Sequence, residues 1–508
     1  MSLVSLITAL SEAGDEILEI TSANAIVTRF LVTLITYKSQ LNEDSDPVAE
    51  LRSDALACLM LLTEDNIKLA QELAAAEDDK FYNTITALKD EANGEGVLAC
   101  AVLHNIYSSL RSPRKAKQSS NADDAPLIPT LVKVISTFDA GQESLPGSGW
   151  TNLADYQQLA LETIASIGTS LTLDGNNGSK SDQKEAPKAE DEGDEDMEDA
   201  VGSDAEDQEG AEEQEEEDDE MDQEAMEADM DMVTGADSED ESTEDFPVIQ
   251  SLLQTALPQL VRIASLQPRD DSALSIQNDA LSAINNIAWS LSLFDLSYAA
   301  NAGIRKAWGP IAKSIWETII SPTLAIDTAD IQLATQVTSI GWAIARVLGS
   351  ETPLKPDEQR KFITLFGAVR GSPESSTDKE DPFQALSVKC IGVLGQLAQG
   401  DCPEDRNREI GVFLVTVIAG LPQTSPAEAV EAFNQVFDIY GDEERGYDRT
   451  VFWANKFLNQ LEDILPKARA MAKSVNKKDQ PELRLRADES VMNLTRFIAY
   501  KKKHKPSN

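Results

Sequence analysis

Few residues in this chain could do covalent or metal chemistry. His104 and His504 are the only histidines, and Cys58, Cys100, Cys390 and Cys402 the only cysteines, with no close pair among them. Zinc sites draw on local Cys and His clusters at short spacing, and none can be assembled here. GEG (94–96) and GSG (147–149) lack the preceding strand and following lysine of a phosphate-cradling loop. Carboxylates abound, but nothing singles out an acid/base pair. His104 lies in a strongly apolar helical segment, where a satisfied core residue is expected, and His504 sits in the KKKHK tail. The reading is a non-enzyme without cofactor or metal. What remains is hydrogen-bonding chemistry. LHNIYSS (103–109) and INNIAWS (284–290) place Asn105 and Asn286 at matching positions, each followed by Ile. An amide donates and accepts at once, so it can pair with both the N–H and the C=O of an extended peptide. Asn105 and Asn286 are therefore candidate peptide-groove residues, with a helix-packing role as the alternative.

Both asparagines sit on helices of one kind. DALACLMLL (54–62), VLACAVLHNIYSSL (97–110), LALETIASIGTSL (159–171), DALSAINNIAWSL (279–291), QVTSIGWAIARVL (336–348), ALSVKCIGVLGQLA (385–398) and EAVEAFNQVFDIY (428–440) each begin near a small residue and are apolar nearly all round. Such helices must be covered on two or more sides. Aligned on Leu59, Leu103, Ile284, Ile340, Ile391 and Phe433, they return after 44 residues and then, beyond a central insert, after 56, 51 and 42. Armadillo and HEAT repeats run about 40–47 residues, with loops lengthening some of them. Strand-like alternation is hard to find. The fold class expected is all-α, an armadillo/HEAT-type α-solenoid rather than a non-repetitive helical domain. Asn105 and Asn286 resemble the inward-facing asparagine of an armadillo third helix. The tryptophan usual four positions earlier is replaced by Ala101 and Ser282, which disfavours lysine-pocket chemistry of the importin kind.

The insert carries most of the charge. From Glu190 to Asp245 there are 31 Asp and Glu and no Lys or Arg, leaving −15 of the net −46 for everything else. Such a composition cannot bury enough apolar surface to offset its ordering entropy, so a long disordered acidic loop is expected between two buried helices. Four parts follow: armadillo-like repeats at 1–172, the acidic insert at 173–246, HEAT-like repeats with C-terminal capping helices at 247–500, and a basic tail at 501–508. Within the insert, Glu215, Glu216, Glu217, Asp218, Asp219 and Glu220 are candidate contacts for a basic cargo. Met221, Met226, Met230, Met232 and Val233 are spaced so that a helix formed on a partner would gather some of them on one face. Of these, Met226 and Met230 join the candidate site. An acidic body repels nucleic acid and anionic membranes, so basic proteins are the expected partners, with no direct nucleic-acid binding by the solenoid. The scarce cysteines fit a reducing compartment. The best apolar run, IGVFLVTVIAGLP (410–422), falls short of the ~20 residues a membrane span needs. RSPRKAK (111–117) and KKKHK (501–505) have the composition of import signals and equally of solvated loops.

The C-terminal region, 427–502, resembles the end of the symportin family in the phrases FDIYGDE, LRLRADES and NLTRFIAYKK. The succession of armadillo-like repeats, acidic loop and HEAT-like repeats agrees with it over nearly the whole chain. The resemblance implies an adaptor and chaperone for two newly made large-subunit ribosomal proteins of the 5S ribonucleoprotein, escorted together from cytoplasm to nucleus. It implies that a peptide of one cargo lies in the armadillo groove, where Asn105 and Asn286 map, and that the acidic loop serves the other. It also implies a transportin-type import receptor that reads a proline–tyrosine signal in a basic N-terminal tail. This sequence holds no Pro-Tyr dipeptide and opens directly in an apolar helical pattern, as though tail and first repeat were absent from it or divergent. A histone chaperone or an importin-like scaffold for other basic cargo is the alternative. Histone chaperones commonly carry their acids in a tail, whereas here they interrupt the repeats.

Overall fold

A computed structural model describes residues 2–37, 49–74, 80–111, 123–139, 152–175, 246–296, 298, 301–326, 330–369 and 381–506. All of them belong to one compact unit, and no strand occurs among them. The helices are α1 (Leu3–Ser11), α2 (Asp15–Ser22), α3 (Ala25–Thr36), α4 (Ala49–Thr63), α5 (Ile67–Ala74), α6 (Lys80–Leu88), α7 (Gly94–Leu110), α8 (Ile128–Ser136) and α9 (Leu153–Gly175). Beyond the insert come α10 (Pro247–Ser251), α11 (Leu257–Ala264), α12 (Asp271–Ser292), α13 (Ala302–Ile315), α14 (Ser321–Ala325) and α15 (Ile331–Leu348). The chain ends with α16 (Gln359–Val369), α17 (Leu386–Leu397), α18 (Glu404–Ala419), α19 (Pro426–Tyr440), α20 (Phe457–Ser474) and α21 (Pro481–Lys503).

One row of helices organises the unit. α4 packs on α7, α7 on α9, α9 on α12, α12 on α15, α15 on α17, α17 on α19 and α19 on α21. The seven look-alike segments of the sequence are the first seven members of this row. Their all-round apolarity has the consequence expected of it. Every residue of α17 is buried except Gln396, and α7 leaves only Glu95, Asn105, Ser108 and Leu110 less than fully buried. A second set of helices, which includes α5, α8, α11, α16, α18 and α20, packs against members of the row. Side chains at the helix starts set where each member begins. Asn93 accepts from the Gly96 N–H, Asp270 from Ala273 and Asp330 from Leu333. Ser425 and Glu428 cap α19 reciprocally. Such caps satisfy donors that the first turn leaves orphaned.

The small residues noted in the sequence work at the contacts between row helices. A Cβ on Gly392 would come within 2.2 Å of the Trp342 ring, and one on Gly395 within 1.9 Å of Gln435 Oε1. Residues 176–245 separate α9 from α10 in sequence, yet α9 and α12 pack directly on each other. The row thus continues across the insertion point, and residues 176–245, with all the acidic-loop candidates, lie outside the described residues.

Candidate peptide groove

Asn105 and Asn286 occupy equivalent places in the row, as their matching sequence contexts require. Asn105 Nδ2 donates to the carbonyl of Met60 on α4 at 3.0 Å, and Asn286 Nδ2 to the carbonyl of Ala165 on α9 at 3.4 Å. Each amide spends its donor half on the preceding row helix. Asn286 Oδ1 also accepts from Asn285 Nδ2 at 3.4 Å, whereas no described donor reaches Asn105 Oδ1. Both side chains are half-buried. The packing role is therefore real at both positions; the amide oxygen has no described donor at Asn105 and is shared with Asn285 at Asn286.

His104 is a satisfied core residue, as expected. Its Nδ1 lies 3.1 Å from Asp124 Oδ1 and its Nε2 2.9 Å from Ser166 Oγ. Serine, histidine and aspartate in this order invite comparison with a hydrolase triad. Two features argue against it. Asp124 is also paired with Arg111, and Ser166 sits in mid-helix, where the backbone N–H groups are spent on the helix and cannot form an oxyanion hole. The contact pins α7 to α9. The thiols are equally inert: all four cysteines are free and buried. Burial pushes Cys100 up to about 12 and Cys402 up to about 11, so neither is a thiolate near neutrality. Among the described residues no group of three or more His, Cys, Asp or Glu could hold a metal ion. No single described helix is long and apolar enough to cross a membrane.

The polar chemistry concentrates around α12 and α15. A cavity of about 380 Å³ opens where Asn285, Asn286 and Trp289 of α12 face Trp342 of α15, Lys389 of α17 and Arg486 of α21. Trp289 and Trp342 meet edge to face at 5.2 Å. Trp289 Nε1 donates to Ser339 Oγ at 2.9 Å, and the Arg346 guanidinium lies 5.7 Å over the Trp289 ring. Tryptophans thus do line this surface, but not from the position four residues before each asparagine. Ser282 in that place accepts from Gln336 Nε2 at 3.1 Å. The signal available in the sequence was the indole three residues after Asn286 and another in IGWAIARV.

Five of the eight buried side-chain polar atoms without a partner among the described residues lie on these two helices: Asp279 Oδ2, Asn285 Oδ1, Gln336 Oε1, Thr338 Oγ1 and Trp342 Nε1. Leaving such an atom unpaired costs about 1–3 kcal/mol; of the five residues, Asn285 and Trp342 line the cavity, and Asp279, Gln336 and Thr338 do not. Asp279 is the clearest case. Burial, with the Glu162 carboxylate of α9 adding repulsion, pushes its pKa up to about 6. A cationic side chain laid between α9 and α12 would relieve both effects.

Comparison with known proteins agrees with this architecture. The profile of a family described as SYO1-like, TPR repeats, matches residues 248–505. Symportin 1 of Chaetomium thermophilum is 43% identical to this chain over 99% of its length, and the alignment covers 76% of that protein. The armadillo repeat protein involved in nucleocytoplasmic transport Syo2, of Schizosaccharomyces pombe, is 31% identical over 44% of the chain and 32% of its own length. Synchronized import protein 1 of Saccharomyces cerevisiae is 29% identical over 44% of the chain and 35% of its own length.

Proposed function

The chain belongs to the symportin (SYO1-like) family, and on that premise we propose that it is an import adaptor and chaperone. It binds newly made large-subunit ribosomal proteins of the 5S ribonucleoprotein and escorts them from the cytoplasm into the nucleus, with a transportin-type receptor as its import partner. Two relatives bear names that place them in nucleocytoplasmic transport or import. The observation that carries the reading is the cavity of about 380 Å³ where Asn285, Asn286, Trp289 and Trp342 of neighbouring row helices come together. An extended peptide presents alternating N–H and C=O groups, with which side-chain amides can pair.

The acidic insert supplies the second half of the reading. A free ribosomal protein is strongly basic and associates with any polyanion. Each exposed ion pair is worth only ~0.2–1 kcal/mol, but ten of them reach several kcal/mol while staying reversible. The insert, joined to the row at both ends, stays at high local concentration near docked cargo. Glu215 to Glu220 would serve as electrostatic contacts and Met226 and Met230 as apolar ones. Asn105 and Asn286 would offer their amide oxygens to the groove peptide. Affinity purification with mass spectrometry of co-purifying proteins tests the function: two large-subunit ribosomal proteins should appear together in near-equal amounts. Recovery dominated by histones would overturn it.

A further inference from the structure

The basic run KKKHK (501–505) has the composition of an import signal, but the fold does not leave it as a tail. Residues 501–503 form the last turn of α21, and Lys501 is fully buried, at 0% exposed. Its Nζ pairs with Asp448 Oδ1 at 2.8 Å, both side chains being enclosed. Asp448 opens the short helical turn Asp448–Trp453, and its second oxygen accepts from Trp453 Nε1 at 3.0 Å. The Lys501 ammonium also lies 5.2 Å from the centre of the Phe452 ring and 5.8 Å from that of Phe497.

Neighbouring side chains add outer contacts. Lys502 Nζ pairs with Glu462 of α20 at 2.5 Å, and Tyr500 Oη donates to Glu443, just past the end of α19. Lys503 and Lys505 are exposed and lack an ion-pair partner among the described residues. Cations in the last turn of a helix are ordinary, because they complement its dipole. That accounts for Lys502 and Lys503 but not for the burial of Lys501. A buried ammonium is costly unless paired, and here a carboxylate and two aromatic faces compensate it. α21 is the last member of the row and packs on both α19 and α20. The ion pair therefore ties the end of the row to the segment that joins those two helices.

We propose that KKKHK is a clasp that fastens α21 to the rest of the row, and that an import receptor does not read it in the folded chain. A receptor that selects a basic run sets its own acidic groups against the lysine side chains. Here that would require unwinding the last turn of α21, drawing Lys501 out and leaving Asp448 buried with no cation. Breaking a buried pair by removing one partner is strongly unfavourable. A readable run and a docked last helix are therefore alternatives. The clasp is independent of the cargo reading, and it places the signal that the proposed import needs elsewhere in the protein.

The test uses the full chain and follows amide hydrogen exchange by mass spectrometry, which reports local opening. In the wild type, amides of 499–503 should exchange as slowly as those in the middle of α21. Free exchange of that last turn overturns the clasp without any variant. Lys501→Met should speed exchange throughout 481–503 by about 100-fold or more, the size expected when a buried ion pair loses one partner, while α4 and α7 keep their rates. Unchanged exchange in this variant overturns the clasp as well. The second arm carries Lys502→Ala, Lys503→Ala and Lys505→Ala together, with Lys501 retained. As a fluorescent fusion in permeabilised cells supplied with cytosol, it should enter nuclei at the wild-type rate. Loss of entry with α21 still protected would make the run the signal and overturn the proposal. A wild-type chain that stays outside nuclei counts against the import function, and the exchange data still decide the clasp.

Discussion

Asp279 shows what burial beside a second carboxylate costs in stability. Its native pKa of about 6 stands above the ordinary value of 3.8, raised by burial and by Glu162. The folded state therefore holds a proton that the unfolded state has released between about pH 4 and 6. Stability must fall as pH rises through that window and stay low above it. Asp279→Asn should remove the slope and gain about 1 kcal/mol at pH 7, the shift of a half-exposed carboxyl being reduced by solvent screening, read as urea unfolding at pH 4 and pH 7. The same variant should bind basic cargo less well. A variant that unfolds with the wild-type pH dependence would show that Asp279 is solvated. The asparagines carry the opposite expectation. Replacing Asn105 and Asn286 by Ala breaks the bonds to Met60 and Ala165, each worth about 0.5–1.5 kcal/mol. The double variant should melt earlier but remain folded, and cargo binding should weaken more than the lost stability accounts for. Binding that is unchanged in a folded double variant would make both residues structural. At this scale the sequence was only partly legible. Identical local contexts exposed the asparagines, because equivalent positions in repeats have equivalent surroundings. The place of Trp342 stayed hidden, because it is set by contacts with Trp289 and Gly392 on neighbouring helices, and local sequence carries no record of that.

Helix-to-helix distances in the row depend on glycines whose importance the sequence conceals. Gly341 and Gly392 both lie within apolar helices, at IGW and IGV, and look interchangeable. Yet a Cβ on Gly341 would meet nothing closer than the Trp316 ring at 3.6 Å, ordinary contact, whereas on Gly392 it would strike the Trp342 ring at 2.2 Å. Gly341→Ala should thus be neutral or stabilising by up to ~1 kcal/mol, since alanine is the better helix former. Gly392→Ala should cost about 1–3 kcal/mol as an overpacked contact. It should also displace Trp342, visible as a changed tryptophan emission. Equal melting temperatures for the two variants would show that α15 and α17 can separate without penalty. The repeat pattern was readable because buried helices recur at nearly constant spacing. Which glycine touches an aromatic ring is set by the register between two helices about fifty residues apart, and one helix alone cannot specify it.

For the whole molecule the decisive fact is that α9 and α12 pack on each other although the acidic insert separates them in sequence. Solenoids derive stability from each repeat and its nearest neighbours, and the row's neighbour contacts run directly from α9 to α12. Deleting residues 190–245 should leave the thermal unfolding of the row within about 1 °C and its helical content intact, while residues 176–189 still connect two adjacent helices. What the deletion should change is cargo capture and its dependence on salt. The Debye length shrinks from ~10 Å at 0.1 M to ~3 Å at 1 M. Exposed ion pairs contributed by the 31 acids are therefore screened at high salt, and groove contacts are screened much less. The affinity gap between intact and deleted chains should be large at low ionic strength and close steadily as salt rises. A gap that persists at high salt would point instead to apolar contacts from the stretch around Met226 and Met230. Changing both to Ser, with every acid retained, separates the two cases. If that pair of changes reproduces the deletion, the insert acts as a docking helix. If it has no effect while replacing Glu215 to Glu220 with neutral residues weakens binding, the insert acts by charge. The second outcome is expected: 31 charges without a single opposing cation make a stronger field than five apolar side chains make a surface.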